Sequence, residues 1–142
     1  MLLPDVNVLV YAFWKDHERY EDYYAWLASS LTGSEPVGIS ELVLSGFIRV
    51  VTNRRIYVEP ATTKAALNFC DAVLHGPAAI PVRPGARHWG IFADLCGQVN
   101  ARANLVQDTF HAALAIEHDA TWITADRDFA RFPGLRWALP VS

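Results

Sequence analysis

Residues 2–14 read LLPDVNVLVYAFW and predict the first strand and the first helix of the chain. Residues 2–4 form a short apolar run, which favours a strand. Residues 6–14 are apolar throughout except for Asn7, which favours a buried helix. Asp5 stands at the junction between the two segments. A strand followed at once by a helix is typical of a chain in which the two kinds of element alternate.

The same alternation continues to the end of the chain. Apolar periodicity and Gly or Pro breaks predict further helices over residues 17–31, 40–52, 60–76, 85–103 and 108–118. Short apolar runs predict further strands over residues 37–39, 79–82, 105–106 and 121–124, with residues 135–137 as an added edge strand. We therefore predict one domain over residues 1–142, an α/β three-layer sandwich whose mainly parallel five-stranded sheet is flanked by helices.

Acidic residues follow four of the five predicted strands. Asp5 follows the first strand, Glu41 the second, Asp108 the fourth and Asp126 the fifth, with Asp128 two residues farther on. The carboxyl ends of parallel strands lie along one edge of a sheet, where ligands bind. We therefore expect these side chains to meet at that edge. The third strand is followed by an arginine and a proline instead, which places it at the outside of the sheet.

Clustered carboxylates predict a cation site. Two unit charges a few Å apart repel each other by on the order of a few kcal/mol at an effective dielectric constant of ~20. Either some pKa values rise or cations bind. An all-oxygen site suits Mg²⁺ or Mn²⁺, which hold phosphate oxygens and activate water. The pattern therefore indicates phosphodiester hydrolysis.

Local structure offers an alternative explanation for most of these residues. Asp5 and Asp108 begin helices, where aspartate is a favoured cap. Asp126 and Asp128 fit an ordinary polar turn. Glu41 is less easily explained, because the preceding serine takes the capping position and the helix should be buried. Taken together, the four junctions favour a functional cluster.

Other polar residues near this edge have different expected roles. Asn7 and Thr124 could hydrogen-bond the carboxylates or metal-bound water, or serve only the helix start and the strand. His111 could contact a phosphate or act as an acid, although we expect it to lie on a helix surface. Glu117, nine residues after Asp108, should lie on the opposite face of that helix and outside the site.

Charge limits the kind of nucleic-acid contact that the chain can make. Twelve basic against fifteen acidic residues give a net charge of −3, so binding by overall charge is excluded and any contact must be local. Arginines near the expected edge could steer a phosphate backbone or remain solvated surface charges: Arg49, Arg54, Arg55 and Arg127.

Hydrophobic residues make up 52% of the chain and charged residues 19%, which excludes intrinsic disorder. Cys70 and Cys96 stand in apolar helical surroundings and are expected to be buried, reduced thiols. The longest apolar stretch near the start is too short to cross a bilayer, and no basic segment precedes it. We expect a cytoplasmic protein with no membrane contact.

Several motifs resemble those of one known family in their order and spacing. They are DVNVL at 5–9, SE at 40–41, FIRVVTN at 47–53, Asp108 before AALA at 112–115, TADRDF at 124–129 and RFPGL at 131–135. Over its whole length the sequence resembles the PIN-domain nucleases, and within them the VapC-type toxins of bacterial toxin–antitoxin pairs. Phe110 stands where related sequences often carry histidine, and His111 follows it.

The resemblance implies a fold, an activity and partners. It implies a parallel five-stranded sheet and a metal-dependent endoribonuclease that cleaves RNA and so inhibits translation and growth. It also implies a homodimer and a small DNA-binding antitoxin that blocks the site. The implied ligands of Mg²⁺ or Mn²⁺ are Asp5, Glu41, Asp108 and Asp126, with Asp128 as an additional member.

Alternative functions remain open at this point. They are a DNA-cleaving or structure-specific nuclease, a non-catalytic nucleic-acid- or protein-binding module, and a phosphoacceptor receiver module. The receiver module normally needs a lysine near the site, and neither Lys15 nor Lys64 follows a late strand. Aromatic residues in the first two helices could dock a partner helix, although we expect about half to be core: Trp14, Tyr20, Tyr23, Tyr24 and Trp26.

Overall fold

Five short strands and six α-helices follow one another in the computed structural model, which describes all 142 residues. The strands are β1 (Leu2–Pro4), β2 (Val37–Ser40), β3 (Ala79–Val82), β4 (Thr121–Ile123) and β5 (Arg136–Ala138). The helices are α1 (Val6–Phe13), α2 (Tyr20–Leu31), α3 (Glu41–Val51), α4 (Thr63–Leu74), α5 (His88–Val99) and α6 (Asn104–Glu117). A short 3₁₀ helix covers Arg127–Arg131.

The strands form one parallel sheet in the order β3-β2-β1-β4-β5. This confirms the predicted fold class and the outer position of β3. The central strand β1 pairs with β2 on one side and with β4 on the other, so the strand order reverses beside it. In such sheets the crevice at the reversal is the usual ligand position. Asp5 follows β1 directly and therefore lies at that crevice.

The helices pack against the sheet and against one another in two groups, and this packing buries their apolar faces. Helix α1 contacts α2 and α3, and α3 contacts α4, whereas α5 contacts α6. The core contains Trp122 of β4, Phe47 of α3 and Leu9 of α1, none of them more than 1% exposed. Among the aromatic residues of the first two helices, Tyr23 belongs to the core and Tyr24 is exposed.

The strand predicted over residues 105–106 is wrong, because these residues belong to helix α6. Leu105 and Val106 lie in the first turn of α6, where their amides donate to the carbonyl groups of Arg102 and Ala103. Two apolar residues do not specify a strand when the helical period continues beyond them. Asp108 therefore stands inside α6 and does not begin it. The sheet reaches five strands because the tail segment, β5, pairs with β4.

The two cysteines lie in helices and differ in burial. Cys70 is buried and Cys96 is partly buried, and neither forms a disulfide. Burial raises the pKa of the Cys70 thiol to about 11. No helix in the structure combines the length and the apolar character needed to cross a membrane.

Gly38 allows β2 to approach its neighbours closely. A Cβ atom at this position would lie 2.7 Å from Val82 Cγ2 and 2.8 Å from Leu3 Cδ1. These contacts are shorter than real Cβ atoms make, and both side chains are buried. The close packing of β1, β2 and β3 therefore depends on the missing side chain.

We expect Gly38→Ala to lower the free energy of unfolding by about 1–3 kcal/mol, because the added methyl group overpacks the sheet. Urea denaturation measures the change. Gly97→Ala is the matched control: it lies in α5 with no atom within 4 Å of its added Cβ, and should be neutral or stabilising by up to about 1 kcal/mol. Equal stabilities for the two variants would contradict this account.

Candidate active site

Asp5 is a buried carboxylate at the end of β1, with 7% of its surface exposed. Its Oδ1 accepts a hydrogen bond from the amide of Val6 at 2.6 Å, so it caps α1. Its Oδ2 accepts from Thr124 Oγ1 at 2.7 Å and from Asn7 Nδ2 at 3.2 Å. The capping and the functional interpretations are therefore compatible, because each oxygen atom has its own set of donors.

Asn7 and Thr124 connect Asp5 to the loop that follows β4. Asn7 Oδ1 accepts from the amide of Ala125 at 3.1 Å, and Thr124 Oγ1 accepts from the amide of Asp126 at 3.0 Å. Asn7 Nδ2 also donates to Thr124 Oγ1 at 3.2 Å. These bonds hold the start of α1 against the end of β4 and orient the carboxylate that lies between them.

Three carboxylates from distant parts of the chain line one cavity. Asp5, Asp108 and Asp126 share a space of about 360 Å³ with Tyr11 and Tyr57. A neighbouring space of about 200 Å³ also contains Asp108 and Asp126, together with Asp128 and Arg131. Because the two spaces share walls, we call them together the acidic cleft. It brings together four of the five acidic residues that the sequence singled out.

The carboxylates of the acidic cleft affect one another electrostatically. Burial raises the pKa of Asp5 to about 6, and the negative charges of Asp108 and Asp126 add to this increase. Hydrogen bonds from Thr124 and Val6 oppose it. Burial and the charge of Asp126 likewise raise the pKa of Asp108, while Arg131 lowers it. The ionised forms are therefore disfavoured, and a nearby positive charge would relieve the repulsion.

Glu41 lies apart from the other acidic residues. It begins α3 directly after β2, as predicted, but its side chain is 72% exposed and lines neither space of the acidic cleft. Its Oε1 pairs with Arg83 Nε at 2.9 Å, because Arg83 follows the adjacent strand β3. Helix α3 is largely buried, as predicted, but the side chain of Glu41 at its start faces solvent. Ser40 holds the cap position but makes no capping hydrogen bond with its side chain.

The expectation of a surface position for His111 is wrong. This residue is 3% exposed, and its ring stacks on Trp122 with centroids 5.0 Å apart. Its Nδ1 atom has no hydrogen-bond partner, and burial lowers the pKa to about 4. His111 is therefore a neutral core residue. Glu117 lies outside the cleft, as predicted, where it accepts from the amides of Gly85 and Arg87 at 2.8 and 3.0 Å.

The donor chemistry of the acidic cleft fits a hard divalent cation, since its charged ligands are all oxygen atoms. In the present side-chain arrangement, no three His, Cys, Asp or Glu residues form a group that could hold a metal ion. Asp128 is exposed and Asp126 is half-buried, so these two carboxylates are the ones with room to reorient.

Sequence reasoning missed three residues that line the cleft. Tyr11 is an aromatic residue within an apolar helix, and Tyr57 lies in a loop without periodicity, so neither carried a signal. Arg131 did carry a signal in the sequence, because it stands three residues after Asp128 and lies on the same short 3₁₀ helix.

Comparison with known proteins identifies the family. The sequence profile described as PIN domain matches residues 2–135. The chain belongs to the PIN domain family. This PIN domain is 48% identical over 142 residues to the Mycobacterium tuberculosis protein named Ribonuclease VapC43, covering 100% of this chain and 97% of that protein.

Solved structures share the fold of this PIN domain. The crystal structure of VapBC2 from Rickettsia felis, bound to a DNA fragment from their promoter, aligns with a TM-score of 0.70 and 20% identity, covering 97% of each chain. The structure of Mycobacterium tuberculosis VapC20, titled a sarcin-ricin loop cleaving toxin, aligns with a TM-score of 0.64 and 16% identity, covering 96% of this chain and 99% of that one.

We predict that Asp5→Asn changes how stability depends on pH. Because the pKa of Asp5 is higher in the folded state than its ordinary 3.8, the folded state binds the proton more tightly. Tighter proton binding therefore adds about 3 kcal/mol to the free energy of unfolding. This contribution is complete below pH 3.8 and is lost as pH rises through about 6.

Urea denaturation between about pH 4 and pH 7.5 measures this effect. The stability of Asp5→Asn relative to the wild type should rise across that interval, because the wild type alone ionises a buried carboxyl group there. Asp94→Asn removes an exposed carboxylate on α5 and should track the wild type. Parallel curves for Asp5→Asn and the wild type would contradict the prediction.

Proposed function

We propose that this PIN domain is a metal-dependent endoribonuclease, the toxin of a toxin–antitoxin pair, which hydrolyses RNA phosphodiester bonds and so inhibits translation and growth. The observation that carries the proposal is the convergence of Asp5, Asp108 and Asp126 on one cavity at the carboxyl edge of the sheet. The name of VapC43, a relative matched over the full chain, supports RNA as the substrate.

Asp5, Asp108 and Asp126 would hold Mg²⁺ or Mn²⁺ in this proposal. Asp128 would join them from the edge of the cleft, and Glu41 would do so after release from Arg83. When bound, such an ion activates water and stabilises negative charge on a phosphate. Thr124 and Asn7 have the supporting role that outer hydrogen-bond donors have in metal sites, because they fix the orientation of the Asp5 carboxylate.

Arg131 would bind the phosphate group of the RNA. It is the only Lys or Arg side chain that lines either space of the acidic cleft. Its Nε atom donates to the Asp128 carbonyl oxygen at 3.1 Å, which orients the guanidinium group. Its terminal nitrogen lies 3.9 Å from Asp128 Oδ2, too far for a hydrogen bond. The terminal nitrogens therefore stay available for two phosphate oxygens.

The partners in this proposal are a cognate small antitoxin and a second copy of the chain, with the cytoplasm as the place of action. The antitoxin would inhibit the enzyme by covering the acidic cleft. Two alternative functions predict different experimental results. A DNA-cleaving enzyme would prefer DNA over RNA of the same sequence, and a binding module would bind RNA without cleaving it.

We predict that Asp126→Asn lowers RNA cleavage at least about a hundred-fold, because the cleft loses one of its charged oxygen ligands. Cleavage of a defined mixture of cellular RNAs in Mg²⁺, in Mn²⁺ and in EDTA measures the effect. Asp94→Asn should cleave like the wild type. Cleavage that persists undiminished in EDTA, or in Asp126→Asn, would contradict the proposed enzyme.

We predict that Arg131→Gln weakens RNA binding by about ten-fold, because a charge-assisted contact to phosphate is lost. Binding is measured in the Asp126→Asn background, where the RNA stays intact. The slope of log Kd against log salt should fall by about 0.7, as expected for one phosphate contact on a single strand.

Arg136→Gln is the matched control for the lost charge. Arg136 begins β5, at the opposite edge of the sheet, and pairs with Asp119 at 2.9 Å. This control should leave both the affinity and the salt slope unchanged. If the two substitutions had equal effects, Arg131 would act only through the overall charge of the protein, and the specific contact with phosphate would be ruled out.

A further inference from the structure

A second cavity lies directly beside the acidic cleft. It measures about 450 Å³ and is lined by Trp14, Asp16, His17, Tyr57, Val58 and Glu59. We call it the aromatic cavity. Tyr57 lines both the aromatic cavity and the acidic cleft. A second connection runs through Tyr11, a cleft residue whose ring stacks on His17 with centroids 4.0 Å apart.

The wall shared with the cleft is held in place by local structure. The backbone amide of Tyr57 donates to the carbonyl oxygen of Asn53 at 3.0 Å, which closes a turn after α3. The Tyr57 ring lies against Trp14 with centroids 4.7 Å apart and planes tilted by 42°. A ligand group in the aromatic cavity would therefore contact aromatic rings and lie one residue away from the acidic cleft.

Charge decides which part of an RNA strand suits the aromatic cavity. Asp16 and Glu59 are exposed and neither forms an ion pair, so they would repel a phosphate group. Aromatic rings, by contrast, provide stacking surfaces for any base. The chemistry of the cavity therefore favours a base over the sugar–phosphate backbone.

Hydrogen-bonding chemistry favours guanine among the four bases. Ionised Asp16 and Glu59 can only accept hydrogen bonds. His17 Nδ1 already accepts from the amide of Arg19 at 3.1 Å, so the neutral ring carries its proton on Nε2 and can donate. Guanine alone presents two adjacent donors, N1–H and the 2-amino group, to one carboxylate. It also offers the acceptors O6 and N7.

We propose that the aromatic cavity binds a guanine base adjacent to the scissile phosphate of the RNA and so selects where the strand is cut. This inference rests on the proposed function, since it takes the acidic cleft as the place of cleavage. Trp14 and Tyr57 would stack on the base, and Asp16 or Glu59 would read its donor edge.

The experiment uses a pool of randomised single-stranded RNA in two arms. In the binding arm, Asp126→Asn protein retains RNA from the pool, and the retained strands are sequenced. In the cleavage arm, wild-type protein cuts the pool in Mg²⁺, and the new ends are sequenced. We expect guanine to be enriched at one fixed position near the cut and in the retained strands.

Substitutions in the aromatic cavity should remove this preference while the acidic cleft stays intact. Trp14→Leu should lower guanine enrichment by about ten-fold, whereas Trp14→Phe should keep most of it, since an aromatic ring remains. Trp89→Leu is the matched control, because Trp89 is 73% exposed on α5 and lines neither cavity. Thermal unfolding shows which variants are folded.

Inosine tests the role of the carboxylates, because it lacks only the 2-amino group of guanine. For a short RNA that carries the selected sequence, the wild type should prefer guanine over inosine by about ten-fold, because one hydrogen bond to a carboxylate is lost. Asp16→Asn combined with Glu59→Gln should abolish most of that preference. These two residues are exposed, so the double variant is expected to fold.

Two results would overturn the guanine site. They are enrichment of a different base and unchanged base preference in folded Trp14→Leu. If the wild type cuts no RNA, the proposed function fails, and the binding arm still decides whether the cavity selects guanine.

Discussion

The hydrogen bond from Thr124 Oγ1 to Asp5 Oδ2 joins two residues that are 119 positions apart, and the whole site depends on it. It continues the pairing of β1 with β4, since the amide of Asp5 also donates to the carbonyl oxygen of Ile123 at 2.8 Å. Closing so long a loop costs chain entropy, which the packing of the two strands in the core offsets. The same packing buries the carboxyl group of Asp5. Burial disfavours the ionised form of this group and so raises its pKa. The fold therefore holds a carboxylate in a state that an added positive charge would stabilise.

Much of this arrangement is readable from the sequence, because the decisive elements are local. Strands β1 and β3 match their predicted bounds, since each is a short apolar run that ends at a charged residue. Asp5 and Asp126 lie after strands, where the sequence predicts them, because each of those strands is predicted from its own residues. Asp108 lines the cleft from the second turn of α6 and not from the end of a strand, because the apolar pair before it belongs to that helix.

The rest of the site could not be predicted, because it depends on which elements become neighbours. The direction of the Glu41 side chain depends on Arg83, which only the pairing of β2 with β3 brings close. His111 is buried because Trp122 of β4 lies against its ring. Tyr57 lies in a loop, where no periodic pattern marks a functional residue. The set of residues that would hold the metal likewise stays a prediction, since it depends on side-chain positions that the sequence does not encode locally.

Glu117 lies at the far end of α6 from the cleft and holds the loop that leads into α5. It accepts both of its amide hydrogen bonds from the loop between β3 and α5, and a Cβ atom on Gly85 would lie 2.8 Å from its Oε2. A larger residue at position 85 would therefore displace the Glu117 carboxylate, and a residue at 117 without a side-chain acceptor would leave two amides unpaired. While the loop keeps its path, the space at position 85 and the carboxylate at position 117 therefore depend on each other.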